Sequence, residues 1–207
     1  MGRPPGRRNE GFEQKRSLLA RAVIFHLLED GKPASMATLA RAAGVSVPTL
    51  KHYFGDREQL VEAAMVEAAR LGDVHLERAR RPTGEDIRAS LLTFCRDLVE
   101  GWRHGVGGLH QSGLVYGLAD AEVGPAYLRS ILEPTIVALE QRLGRHVERG
   151  DLDDVDPRAM ALALLAPVVL ALLHQDQLGG TTTRPLDVDA FVEIHVDRFL
   201  RGHARPT

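Results

Sequence analysis

The stretch GVSVPTLKHYFGDRE, Gly44 to Glu58, sets Lys51, His52, Tyr53 and Phe54 in a row just after a Gly-Val-Ser turn. Two helical turns cannot bury all four, so part of this run faces outward. The residue types suit a partner that carries phosphates and base edges. Ser46 and the free amides at the start of its helix can receive a phosphate, aided by the positive end of the helix dipole. Lys51 supplies a mobile cation, and Thr49 and His52 can donate to a sugar-phosphate backbone or to base edges. Val47 and Pro48 offer apolar contact to a thymine methyl. Ser35, at the start of the preceding helix, is a further phosphate candidate.

These groups need a frame to hold them on one side. Ser35 can cap a short helix through Ala43, and Gly44 stops it. Ser46 can cap the next helix, where Pro48 falls in the first turn and loses no internal hydrogen bond. Leu39 and Ala40 face inward, with Ala40 small because the second helix crosses close to it. Gly44 takes the turn, where a positive φ is expected, and Val45, Leu50 and Tyr53 return inward. This is the pattern of a helix-turn-helix. Asp56 and Gln59 form a capping box that opens another helix running towards Leu71. A helix over 13–30 precedes the pair, with Leu18, Ala22 and Phe25 on one face and Gly31 at its C-cap. In front of it Arg3, Arg7 and Arg8, set among glycine and proline, suit a narrow minor groove.

Charge divides the 207 residues unevenly. Residues 1–55 carry nine Lys/Arg against four Asp/Glu, a net of +5, and the remainder carries seventeen against twenty-four, a net of −7. A basic head on an acidic body points the head alone at a polyanion. The lone Cys95 excludes an internal disulfide framework and favours a reducing compartment, with Leu91, Leu92, Phe94 and Leu98 around it marking a buried thiol. The start MGRPPGRRNEGFEQKR has no apolar stretch, so no secretory signal is expected and the chain is read as cytoplasmic. Nine histidines without an H-x-x-x-H spacing do not predict a metal site. Neither G-x-S-x-G nor a phosphate-cradling glycine loop occurs, so no catalytic residue and no cofactor is nominated.

Beyond the break at RRPTGED the helical signals lengthen: Ile87 to Trp102, then GWRHGVGG as a glycine-rich loop, then Leu109 to Leu118. Leu132, Ile136, Leu139, Leu143 and Val147 make an apolar stripe ending at Gly150, with Pro134 near its start. Asp156-Pro157 opens a helix in which Ala159 to Leu173 are all apolar. Fifteen such residues fall short of the ~20 that span a bilayer, which predicts a buried helix covered in part by a partner subunit. The last helix, Val188 to about Leu200, places Val188, Phe191, Val192, His195 and Phe199 on one side. A small-molecule cavity would be mostly apolar with a few polar groups. Trp102, His104, His110, Gln111 and Tyr116 around the glycine loop are the candidates, completed by Phe94, Leu98, Met160, Leu164 and His174.

The stretch ATLARAAGVSVPTLKHYFGDREQLVEAAM, Ala37 to Met65, resembles the DNA-binding signature of the TetR family of bacterial transcriptional regulators, and the preceding helix with Ala22, Phe25 and Gly31 is also similar. Lys51 stands where the family pattern has tyrosine. The likeness covers about the first third of the chain; beyond it only the architecture is similar. The resemblance implies an all-α homodimer with a three-helix head bearing the helix-turn-helix and a larger helical body. The expected division is a flexible basic arm over 1–11, a DNA-binding head over 12–58 with a fourth helix from about 57 leading out of it, and an effector-binding and dimerisation body over 59–207. The implied function is a non-enzymatic repressor, dimeric through its two C-terminal helices, that binds a palindromic double-stranded operator and is released by a small-molecule effector, with no role at a membrane. Two rivals are a dimeric DNA-binding regulator without an effector and an all-α enzyme with a vestigial head.

Overall fold

The computed structural model describes residues 6–30, 34–81, 86–121, 123–153 and 155–203. None of them lies in a β-strand. The helices in chain order are α1 (Gly6–Asp30), α2 (Met36–Ala42), α3 (Val47–Phe54), α4 (Arg57–Arg80), α5 (Ile87–Gly101), α6 (Gly107–Gly117), α7 (Val123–Tyr127), α8 (Glu133–Glu148), α9 (Pro157–Leu172), α10 (Gly180–Thr183) and α11 (Val188–His203). They form two compact units, one comprising Met1–Gly72 with Gly108–Ile131 and the other Asp73–Gly107 with Leu132–Thr207. The fold is therefore all-α, with the helix-turn-helix in the first unit.

In the first unit Leu19, Ala20, Val23 and Ile24 of α1, Leu39 and Ala40 of α2, Leu50 and Phe54 of α3, and Leu60, Val61, Ala64 and Met65 of α4 are buried. Their helical spacing gives each short helix one apolar face. Phe54, not Tyr53, is the aromatic that closes this core. Phe54 is buried, while Tyr53 is half-exposed, with Phe12 of α1 stacked on its ring at 4.7 Å between centroids. The α6–α7 segment belongs to this same unit. Gly113 lets the Tyr127 ring lie against α6, since a Cβ there would sit 2.1 Å from a ring carbon.

The second unit is built on α5, α8, α9 and α11, whose apolar faces meet in one core around Leu91, Leu139, Leu143, Met160, Leu164, Val168 and Val196. Three ion pairs run between the α5 side and α11: Arg88–Asp197 at 2.7 Å, Arg96–Glu193 at 2.7 Å and Arg103–Asp189 at 3.4 Å. The acidic partners recur every four residues, one per turn of α11. By length and composition Pro157–Gln177 is apolar enough to cross a membrane. Here Met160, Ala161, Leu164, Leu165, Val168 and Leu172 fill the core, and Leu162, Ala163, Ala166 and Leu170 remain exposed on a second stripe. Pro167 removes the N–H that would bond the Ala163 carbonyl, and the neighbouring Leu164 carbonyl accepts from His195 Nε2 of α11 at 3.0 Å.

The glycine-rich stretch GWRHGVGG is not a loop. It is a short kink between α5 and α6, where His104 leaves helical geometry and Gly105 takes φ +116°. Four glycines signal a break, and it is confined to two residues, with the positive φ falling on glycine, which accepts it without strain. A π-helical turn, Leu128–Leu132, runs into α8, so Pro134 lies just inside the first turn of that helix.

Candidate nucleic-acid interface

The starts of α2 and α3 are built alike. Ser35 Oγ accepts the Thr38 N–H at 3.2 Å and lies 3.0 Å from Thr38 Oγ1. Ser46 Oγ accepts the Thr49 N–H at 3.2 Å and lies 2.8 Å from Thr49 Oγ1. Each serine thus caps its own helix, a contribution of about 1 kcal/mol apiece. Each Ser–Thr hydroxyl pair is exposed at its helix start. The sequence carries this as a repeated S-x-x-T, Ser35–Thr38 and Ser46–Thr49. Thr38 was legible in that repeat and not nominated.

Between the two starts the chain turns at Gly44, whose φ of +66° lies in the left-handed region. The turn is closed by Val45 N–H donating to the Ala40 carbonyl at 3.0 Å. Ser46, Pro48, Lys51 and His52 are exposed, and Val47 and Thr49 are half-buried. The nominated residues therefore share one side of α3, with Leu50 and Phe54 pointing into the core behind them. The same end of α3 is held from α1. Phe12 stacks on Tyr53 and meets the His52 ring edge-on at 5.8 Å. Arg16, one turn along, places its guanidinium 5.2 Å from the Phe54 ring centroid and donates from Nε to the Tyr53 carbonyl at 3.4 Å. A cation at a helix C-terminus is favourable against the dipole. Phe12 and Arg16 support α3 and were missed by sequence reasoning, although their i, i+4 spacing was visible. Asp56 Oδ1 accepts the Gln59 N–H at 2.8 Å and opens α4.

Arg3 lies outside the described residues, as do the side chains of Arg7 and Arg8, whose backbone belongs to α1. Helix therefore begins at Gly6, inside the stretch expected to be an arm.

The residues nominated for a small molecule fall into two groups. His110, Gln111 and Tyr116 lie in the first unit, and Phe94, Leu98, Trp102, His104, Met160, Leu164 and His174 in the second. His110 is 2 % exposed, its Nδ1 lies 2.7 Å from the Tyr127 hydroxyl, and burial pushes its imidazole down to about 4. Phe94, Trp102, Met160 and Leu164 are packed in the second core, with Leu98 half-buried against it. Trp102 Nε1 donates to Gln177 Oε1 at 3.0 Å. His104 and His174 are exposed, and their Nδ1 atoms bond the Glu100 carbonyl and the Gln175 amide. A cleft of about 680 Å³ lies in the first unit instead, lined by Glu13, Arg16, Ser17, Tyr53, Gln59 and Glu62 among others. Among the described residues no cluster of three His, Cys, Asp or Glu could hold a metal.

Comparison with known proteins places this geometry. The family model "Bacterial regulatory proteins, tetR family" matches residues 31–64, and "Tetracyclin repressor-like, C-terminal domain" matches 81–193. The HTH-type transcriptional regulator BetI of Stenotrophomonas maltophilia (strain R551-3) is 36% identical over 88 residues, 42% of this chain and 43% of that protein, so the chain spans less than half the length of this curated relative. A TetR-family regulator of Mesorhizobium loti MAFF303099 has the same fold, with a TM-score of 0.76 at 18% identity over 94% of this chain and 98% of that one. The flavonoid-responsive regulator FrrA matches with a TM-score of 0.65 at 22% identity over 94% and 100%. With a helix-turn-helix at one end and a matched C-terminal domain covering more than half its length, the chain belongs to the TetR family of bacterial regulatory proteins.

Proposed function

We propose that this protein is a transcriptional repressor that binds a palindromic operator as a homodimer and releases it on binding a small molecule. One observation carries the DNA-binding part: Ser46, Pro48, Lys51 and His52 lie exposed on one side of α3, beside two helix starts with paired Ser–Thr hydroxyls. Ser35, Ser46, Thr49 and Lys51 are assigned to phosphates, and Val47, Pro48 and His52 to the groove. Dimerisation is supported by the exposed apolar stripe of α9, with Leu162 and Leu170, and by Ile194 of α11, 52% exposed. These helices already pack against each other, and a second copy would cover what one copy leaves open. The effector is supported by fold alone, since FrrA, named for its flavonoid response, shares it. The tight packing of Phe94, Trp102, Met160 and Leu164 favours a second reading, in which the second unit serves dimerisation without an effector.

Selection from a random duplex library with the full-length chain tests the proposal. A two-fold symmetric site with half-sites one helical turn apart, about 10 base pairs, is expected. Failure to enrich any sequence, or an asymmetric single site, contradicts it.

A further inference from the structure

Tyr116 of α6 touches the chain on both sides of the helix-turn-helix. Its phenol oxygen accepts the backbone N–H of Ala34, 82 residues away in sequence, in a buried hydrogen bond. Ala34 immediately precedes Ser35, the cap of α2. Beyond the other end of the motif, Arg57 in the first turn of α4 lays its guanidinium over the Tyr116 ring, 5.3 Å from the centroid. Tyr116 is 3% exposed and Ala34 6%. Ala34 lies outside the described helices, and among the described residues the phenol is the acceptor for its buried N–H. An exposed ion pair also joins Arg129 to Glu62 of α4 at 3.7 Å. The chain enters this segment through the kink at His104 and Gly105 and leaves it through Leu128–Leu132.

We propose that Tyr116 is a positioning residue for duplex binding. Its bond to the Ala34 amide and its contact with Arg57 set the orientation of α2 and α3 and link that orientation to α6. Tyr116 contacts no duplex in this account; it acts through Ser35 and the helix that Ser35 caps. The proposal rests on the DNA-binding reading above.

The test compares the full-length chain with Tyr116→Phe, which keeps the ring under Arg57 and removes only the phenol oxygen. The probe is a duplex enriched from a random library by the unaltered protein. Three results are expected. The Ala34 amide exchanges faster in the variant. Duplex affinity falls about two- to tenfold, the range one hydrogen bond is worth, with an unchanged slope against salt because no phosphate contact is lost. Duplex binding slows amide exchange across Gly107–Gly117 in the unaltered protein and no longer does so in the variant, because coupling between two sites is reciprocal. A residue that only held the fold would lower the melting temperature and leave that last transfer intact. Faster exchange at Ala34 with unchanged affinity and unchanged transfer overturns the proposal. Should Tyr116→Phe not fold, Arg57→Gln serves: lower affinity at the same salt slope supports the role, and equal affinity refutes it. If no duplex is enriched at all, the DNA-binding reading fails and takes this one with it; an enriched duplex that ignores both variants sinks this one alone.

Discussion

Arg142 donates from Nε to the backbone carbonyl of Ala79 at 2.7 Å, setting a buried guanidinium against the last turn of α4. Its other nitrogens reach the Ser90 carbonyl at 2.7 Å, the Arg81 carbonyl at 2.9 Å and the Arg78 carbonyl at 3.2 Å. Arg142 is 2% exposed, and the Phe94 ring centroid lies 5.7 Å from its central carbon. The orphan carbonyls of a helix C-terminus carry partial negative charge, and the planar fork of donors can serve several at once.

Replacing Arg142 with methionine removes the donors from the Ala79 and Arg81 carbonyls and strips the contacts to Ser90 and Arg78. The expected cost to the second unit is about 3 kcal/mol or more, and Arg142→Lys recovers only part of it, because a point ammonium cannot span the same set. Urea unfolding followed by Trp102, the single tryptophan and a member of that unit's core, measures this. A midpoint unmoved in Arg142→Met would show the network to be dispensable.

Acid should weaken the first unit through His110. Burial holds its folded value at about 4, below the ordinary ~6.5, so the unfolded chain takes up the proton first as pH falls. The associated stability is complete above about 6.5 and is lost as pH drops through about 4, at up to about 1.4 kcal/mol per pH unit for one proton. Thermal melts across this window in the unaltered chain and in His110→Gln isolate the effect by difference. Parallel profiles would assign the acid sensitivity to other groups.

Gly113→Ala drives a methyl group into the buried Tyr127 ring, which is also the hydrogen-bond partner of His110. Overpacking of this kind costs about 1–3 kcal/mol. Gly144→Ala, in open space on α8, is the control and should be neutral or slightly stabilising. Equal melting temperatures for the two variants would contradict the packing described.

What the sequence disclosed was mostly local. Ser35, Ser46 and Asp56 were readable as caps because capping depends on a residue type and an offset of three. Gly44 was readable because few other residues accept its φ. Long-range pairing was not. Nothing in the spacing of His110, Gln111 and Tyr116 told that α6 packs in the same unit as the helix-turn-helix, because periodicity marks an apolar face without naming what covers it. Tyr53 and Phe54 are adjacent and both fit an inward position; only Phe54 enters the core, while Tyr53 stacks on Phe12, more than forty positions upstream. The GWRHGVGG break was legible as a break but not as a two-residue kink, since glycine permits a kink and a loop alike and neighbouring packing selects one.

The central claim is that the exposed side of α3 meets the phosphates of a duplex. Its most direct test is the slope of log affinity against log salt for a library-selected duplex, measured for the unaltered chain and for Lys51→Ala. A phosphate contact at Lys51 predicts weaker binding to every sequence and a slope flatter by about one. Identical slopes and identical affinities would contradict it.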